Sequence, residues 1–353
     1  MVSAAAYGII EGVDTGEDSR RRGPYAAGGD GRGRRRRHPV PAAVAALVLL
    51  GLTAVLVARG TDRDGPTPLP QLLAFLPWLL APGWLALLAA VLARRALLVV
   101  WALGVLAATG WYVQPYGPAA PDGAEERPAK ARFRVLTANL QRGDATDALV
   151  ELALRERPQV LAVQECDHRC VRALQAPRLR EAYPHRVVAG VDGGARGSAL
   201  LSRYPLRRTA GVPGELAMPG AVARIGGERV RIQVAHPMPP TPGDLDTWRR
   251  ELDRLRRLAA DRDGLPTLIA GDFNSSQDHA AFRAVLATGM HDAARLVGMS
   301  RTPTWPSRTA PPLGAQIDHV LLSKELVPLD GSFHDLPGSD HRAFLADVKL
   351  FPR

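Results

Sequence analysis

Three uncharged apolar runs between residues 39 and 113 constrain this chain more than any other feature. The first, "PVPAAVAALVLLGLTAVLVA", covers 39 to 58, and at about 1.5 Å per residue it is long enough for a bilayer core of about 30 Å. The second covers 69 to 93, from "LPQLLAFLPWLL" through "APGWLALLAAVLA", and tolerates three prolines because neighbouring helices re-satisfy freed backbone groups. The third is "ALLVVWALGVLAATGWYV", 96 to 113. Buried helices of a soluble domain, or a cleaved signal peptide, fit three successive runs with Trp111 and Tyr112 at one end less well than three transmembrane helices do. Basic residues set the orientation. "GRGRRRRH" precedes the first run and Arg94-Arg95 separate the second from the third, so both belong in the cytoplasm and everything after Tyr112 lies outside.

Around these runs the chain divides into a disordered basic head (1–38), the spans (about 39–58, 69–93 and 96–113), a Pro/Ala/Gly linker (114–132) and a globular domain (133–353). The formal net charge of +10 is that of a nucleic-acid binder at first sight. From Phe133 onward, however, 30 Lys+Arg stand against 25 Asp+Glu, so half the excess lies outside the globular part. Only Lys130, Lys324 and Lys349 are lysines, an arginine bias that reads as genome composition. Two cysteines, Cys166 and Cys170, exclude a disulfide framework and a four-thiolate zinc site. A local disulfide, two free thiols, and a zinc site with Asp167 and His168 all stay open.

From Phe133 short β-branched runs alternate with amphipathic helices. "FRVLTANLQ" is a strand; "TDALVELALRERP" is a helix closed by Pro158; "QVLAVQECD", "HRVVAGV" and "SALLSRYPL" are strands. "GAVARIGGERVRIQVAHP" is a hairpin turning at Gly226-Gly227. "LDTWRRELDRLRRLAAD" is a helix with Leu245, Trp248, Leu252, Leu255 and Leu258 on one face. "LPTLIAGDFNSSQD", "AQIDHVLLS" and "GSDHRAFLADVKL" supply the last strands. Five strands are expected to end in polar residues: Asn139, Glu165, His236, Asp272 with Asn274, and Asp318. Strand ends gathered on one sheet edge put such residues around one cleft.

Those residue types suit phosphate-ester hydrolysis. Mg²⁺ takes oxygen ligands and keeps several waters, so Asn139 and Glu165 suffice. Asp272 can orient an attacking water and take its proton. Asn274, His236 and His341 can donate to the charge that builds on phosphorus, with Asp318 holding the far nitrogen of a histidine. "DFNSSQD" is not a calcium loop, because Gln277 and Arg283 stand where Gly and Glu are needed.

In order, "LTANLQ", "VQECD", "GSALLSRYPL", "VAHP", "GDFNSS", "IDHVLLS" and "GSDHRAF" resemble the endonuclease/exonuclease/phosphatase superfamily over residues 133 to 352. The resemblance implies an α/β fold, a four-layer sandwich of two packed mixed sheets flanked by helices, here preceded by the three transmembrane helices. It implies a metal site at Asn139, Glu165 and Asp340 for Mg²⁺, with Mn²⁺ or Ca²⁺ as alternatives. His341, Asp318, Asp272, Asn274 and His236 become the catalytic set, and Asn274, Ser198 and Arg196 the substrate-binding set. Ala235 and Pro237 around His236 depart from the family pattern. The expected partners are a phosphate-ester substrate, nucleic acid or lipid headgroup, and the membrane; no protein partner is predicted. Arg196, Arg203 and Arg301 tip the reading towards a nuclease, and proximity to the bilayer towards a phospholipase or phosphoinositide phosphatase. The rival of another class is a non-catalytic module that binds phosphorylated ligands.

Overall fold

The computed structural model describes residues 39–114, 128–191, 194–307 and 313–352. The predicted basic head, and the linker except for Gln114 and its last five residues, lie outside the described residues. All described elements belong to one compact unit, His38–Arg353.

The apolar front half comprises α1 (Pro39–Gly60), α2 (Leu69–Ala74), a 3-10 turn (Leu76–Leu79), α3 (Leu80–Leu92) and α4 (Ala96–Val113). α1, α3 and α4 pack on one another through Ala45, Leu49, Ala86, Ala90, Ala102 and Val105. The small residues let backbones approach, as they do between helices in lipid. Among the described residues only α1 and α4 are long and apolar enough to cross a membrane, so the second of the three expected spans is corrected: residues 69–93 are not one helix. Pro77 is the physical reason. It lacks the amide hydrogen that would carry the α2 hydrogen-bond ladder onward to the Leu73 carbonyl, so α2 stops at Ala74, Phe75 departs from helical angles (φ −106°, ψ 28°) and the chain starts anew through the 3-10 turn into α3. The displaced piece, α2, packs on the end of α1 through Leu73 and Val55 and also lies against the globular domain.

That domain begins with β1 (Ala131–Asn139), two residues earlier than expected, followed by α5 (Thr146–Glu156), β2 (Val160–Gln164), α6 (His168–Leu174), α7 (Pro177–Ala182), β3 (His185–Ala189) and β4 (Ser198–Ser202). Then come β5 (Leu206–Arg208), β6 (Gly220–Ile225), β7 (Glu228–Ala235), α8 (Leu245–Ala260), β8 (Thr267–Asp272), α9 (Ala280–Leu286), β9 (Met290–Asp292), α10 (Ala293–Leu296), β10 (Asp318–Ser323), β11 (Leu326–Asp335) and β12 (Arg342–Leu350). "SALLSRYPL" is two strands, β4 and β5, in different sheets. One sheet runs β11-β12-β1-β2-β4-β3 and the other β5-β6-β7-β8-β10-β9. Both are mixed, with β1 parallel to β2 and β7 parallel to β8.

Period-two alternation builds the layers. Val135, Val160, Ala162, Ile232, Leu268 and Val320 meet between the sheets. Their neighbours Leu136, Leu161 and Val163 face outward under Leu149, Leu152, Leu174 and Leu179 of α5 to α7. Ile269 and Leu321 likewise lie under Trp248, Leu252, Leu255 and Phe282 of α8 and α9. The result is two sheets face to face with helices on both outer faces.

Candidate active site

The parallel pairs bring the C-terminal ends of β1 and β2, and of β7 and β8, to one edge of the two sheets, delivering Asn139, Glu165, His236 and Asp272 there. Asp318 was expected to end a strand; it begins β10. Because β10 is antiparallel to β8, its first residue pairs with Asp272 and reaches the same edge. His341 arrives equivalently, directly before β12, which runs antiparallel to β1. Gly271 makes the edge possible: with φ +157°, an added Cβ would lie 1.9 Å from the Ala235 carbonyl oxygen. Only glycine permits that approach of β8 to β7, which sets Asp272 beside His236.

His341 Nδ1 lies 2.9 Å from Asp318 Oδ2. A carboxylate only accepts, so Nδ1 carries the hydrogen. Nε2 then faces Asp272 Oδ2 at 3.8 Å and Asp340 Oδ1 at 3.9 Å. Asp272 is fixed on both oxygens: Asn274 N donates to Oδ1 at 2.7 Å and Asn139 Nδ2 to Oδ2 at 3.0 Å. Asn139 Nδ2 also donates to Glu165 Oε1 at 3.2 Å, and Arg142 N to Glu165 Oε2 at 2.7 Å. Asn274 Nδ2 donates to the Pro237 carbonyl at 3.0 Å, leaving one amide hydrogen for a ligand. Glu165 and Asn274 hold φ of +56° and +46°, and Gln141 and Arg142 are also in the left-handed region. Such backbone outliers cost about 1–3 kcal/mol each and collect where function over-determines geometry.

Burial opposes charge on His341, but the charge of Asp318, that of Asp272, the hydrogen bond His341 donates to Asp318 and the charge of Asp340 together raise its pKa to about 10, so the ring is an imidazolium at neutral pH. Burial pushes Asp272 up to about 7, the charge of His341 acting against it. His236, fully buried beside that charge, falls to about 3 and is a neutral donor or acceptor. Its Nδ1 and Asp318 Oδ1 are buried without a partner among the described residues.

A cavity of about 830 Å³ is lined by Glu165, His236, Asp272, Asn274, Asp340 and His341. Asn139 and Asp318 stand behind this lining. Ser198 is buried beside Gln164 at the start of β4, and Arg196 is exposed; neither lines the cavity. Arg203, over the Tyr183 ring, and Arg301, paired with buried Asp278, are held by other partners. Several neighbours of the centre went unread in the sequence. Trp305 Nε1 donates to Asp340 Oδ2 at 3.1 Å. Thr304 Oγ1 accepts from Asp318 N at 3.2 Å, and Ser339 Oγ donates to the Asn139 carbonyl while accepting from His341 N. Cys166 and Cys170 form a disulfide, which closes the turn directly after Glu165.

The model of the Endonuclease/Exonuclease/phosphatase family matches residues 136–341. The chain belongs to that family. No curated protein matches it in sequence. Among solved structures, the fold is similar to that of a humanized D. rerio TDP2 carrying 14 mutations, at 16% identity and TM-score 0.51, over 62% of this chain and 98% of that one. It is also similar to the human Nocturnin catalytic domain with bound sulfate anion, at 18% identity and TM-score 0.51, over 64% and 96%. A third is D. rerio TDP2 complexed with single strand DNA product, at 15% and TM-score 0.50, over 62% and 98%. Members of the Endonuclease/Exonuclease/phosphatase family hydrolyse phosphate esters and generally use a divalent metal.

Two donor sets bear on such a metal. Asp272, Asp318 and His341 offer ligand atoms within 4.8 Å of one another. Yet His341 is held protonated and Asp318 Oδ2 is spent on it, which leaves that trio poorly suited to a cation. Glu165 and Asp340 present partly exposed carboxylates to a roomy cavity, a hard-oxygen set that suits a hydrated Mg²⁺.

Proposed function

We propose that the protein is a membrane-anchored, outward-facing, divalent-metal-dependent phosphoesterase. The observation that carries this is the coupled geometry of His341: Nδ1 on buried Asp318, Nε2 towards Asp272 across the cavity shared with Glu165 and Asp340. A water held on Asp272 attacks phosphorus and passes its proton to that carboxylate, while the bond to the leaving oxygen breaks on the opposite side. His341 as imidazolium, His236 and the free amide hydrogen of Asn274 donate to the non-bridging oxygens as their charge grows. Glu165 and Asp340, with Asn139 orienting Glu165, would hold the cation, which neutralises phosphate charge. The test is hydrolysis of bis(p-nitrophenyl) phosphate by the full chain with Mg²⁺ or with chelator. Turnover that needs the metal and is lost in Glu165→Gln supports the reading; a folded chain inert with Mg²⁺, Mn²⁺ and Ca²⁺ refutes it.

The anchoring is supported by large apolar side chains on the outside of the helix bundle, among them Leu47, Leu85, Leu97 and Val100, all exposed. The orientation is supported by Arg94-Arg95 between α3 and α4, at the end of the bundle away from the domain, to which residues Leu76–Leu92 return the chain alongside α1 and α4, and by the disulfide, which suits an oxidising compartment. A reporter inserted after Tyr112 is expected to be active only on the outer face. Cytoplasmic signal would reverse the topology.

A further inference from the structure

We propose that residues 69–79 of the apolar front half are the specificity wall of the active site, which commits the enzyme to phosphate esters carrying a long hydrocarbon chain drawn from the bilayer. The inference rests on the phosphoesterase reading and names its substrate class.

The cavity lining is chemically mixed. It includes the acids and histidines described above. It also includes Ala74 and Phe75 of the front half together with Leu216, Met238, Pro240 and Trp305 of the domain. Phe75 packs against Trp305 with ring centroids 6.1 Å apart, and the same indole donates to Asp340, so the apolar wall abuts the polar centre directly.

The wall is fastened rather than merely near. Gln71 Nε2 donates to the Pro240 carbonyl, His279 Nε2 to the Pro70 carbonyl at 2.8 Å, and Trp78 Nε1 to the Gly314 carbonyl at 3.2 Å. Asp64 accepts from Ala280 N and Ala281 N at the start of α9. Arg301 reaches the Tyr112 and Val113 carbonyls at the end of α4. The cavity therefore lies against the end of the bundle where α1 and α4 both finish, marked by Trp78, Trp111 and Tyr112, residues that favour the headgroup level of a membrane. A lipid phosphate could reach the catalytic centre from there while its chain stays on apolar surface. Residues 69–79 carry no cation for the phosphate backbone of a nucleic acid, and Arg203 and Arg301 are engaged elsewhere.

The test compares methyl and hexadecyl p-nitrophenyl phosphate, with single-stranded DNA as a third substrate, using the full chain in detergent micelles with Mg²⁺. The hexadecyl ester is expected to have a kcat/KM about tenfold or more above the methyl ester, the effect of burying about two methylenes. Phe75→Ala should erase most of that ratio and Phe75→Leu should keep it. Met238→Ala, on the facing wall and outside any helix or strand, gives a second reading if Phe75→Ala fails to fold. A ratio near one with the methyl ester still cleaved overturns the inference and leaves the phosphoesterase reading standing. So does a high ratio that persists in the folded Phe75→Ala and Met238→Ala variants, which would come from the micelle alone. Cleavage of DNA in preference to both esters overturns it in favour of a nuclease, and inertness towards all three substrates overturns both readings.

Discussion

Replacing His341 by alanine lowers turnover of a phosphate ester by about 10² to 10⁴-fold, the range that a positioned acid or base contributes. The ring donates through Nδ1 to Asp318 and presents Nε2 to the cavity, so its loss removes the cationic donor and leaves Asp318 buried without its partner. His341→Asn separates the two effects: its amide can still donate to Asp318, which preserves the fold, but it carries no titrating proton. A second readout follows from sign. The imidazolium is present below its pKa of about 10 and is lost as pH rises through it, so wild-type turnover falls there. The base form of Asp272 is lost as pH falls through about 7, so turnover also falls on the acid side. The alkaline limb should vanish in His341→Asn while the acid limb remains and moves to higher pH, because the charge that holds the Asp272 pKa down is gone. A folded alanine variant that keeps more than about a tenth of wild-type turnover would sink the assignment of His341.

The second large effect is on stability. Asp278→Ala is expected to destabilise the full chain by about 3–5 kcal/mol, the cost of leaving buried charge unpaired. Asp278 is fully buried between Arg59 at the end of α1, 3.3 Å away, and Arg301, which binds both carboxylate oxygens at 2.6 and 3.0 Å. Arg59 and Arg301 side chains are only 13% and 15% exposed, so neither turns to water without moving the elements that carry it. Thermal unfolding in detergent measures this, and the midpoint should drop by several degrees. A drop no larger than that of a surface substitution would mean that the front half and the domain are not held together through Asp278.

Most of the candidate site was legible because its residues sit at the boundaries of strands that the period-two pattern locates. Asn139, Glu165, Asp272 and His341 fall in short motifs whose order carries the family. The three-span reading failed where composition was silent. An apolar stretch of bundle helix and an apolar stretch wedged between the bundle and a domain look alike in hydropathy, and the placement of Pro77 hinted at the break. Trp305 and Thr304 were illegible for another reason: each acts through a contact with a residue distant in the chain, Asp340 and Asp318, and no local pattern encodes such a partner, whereas Ser339 stands inside the GSDHRAF motif and only its bond to the Asn139 carbonyl is long-range.

The amino-acid order alone determined the alternation of strands and helices, the family motifs and the types of group brought to the site, because burial periodicity and strand-end chemistry are local properties. The tertiary structure decided that Asp318 enters its strand at the catalytic edge, that Arg301 and Arg203 are engaged away from the cleft, and that Phe75 walls the cavity. These depend on strand direction and on long-range packing, in which the free energy comes from surfaces that meet only once the chain has folded.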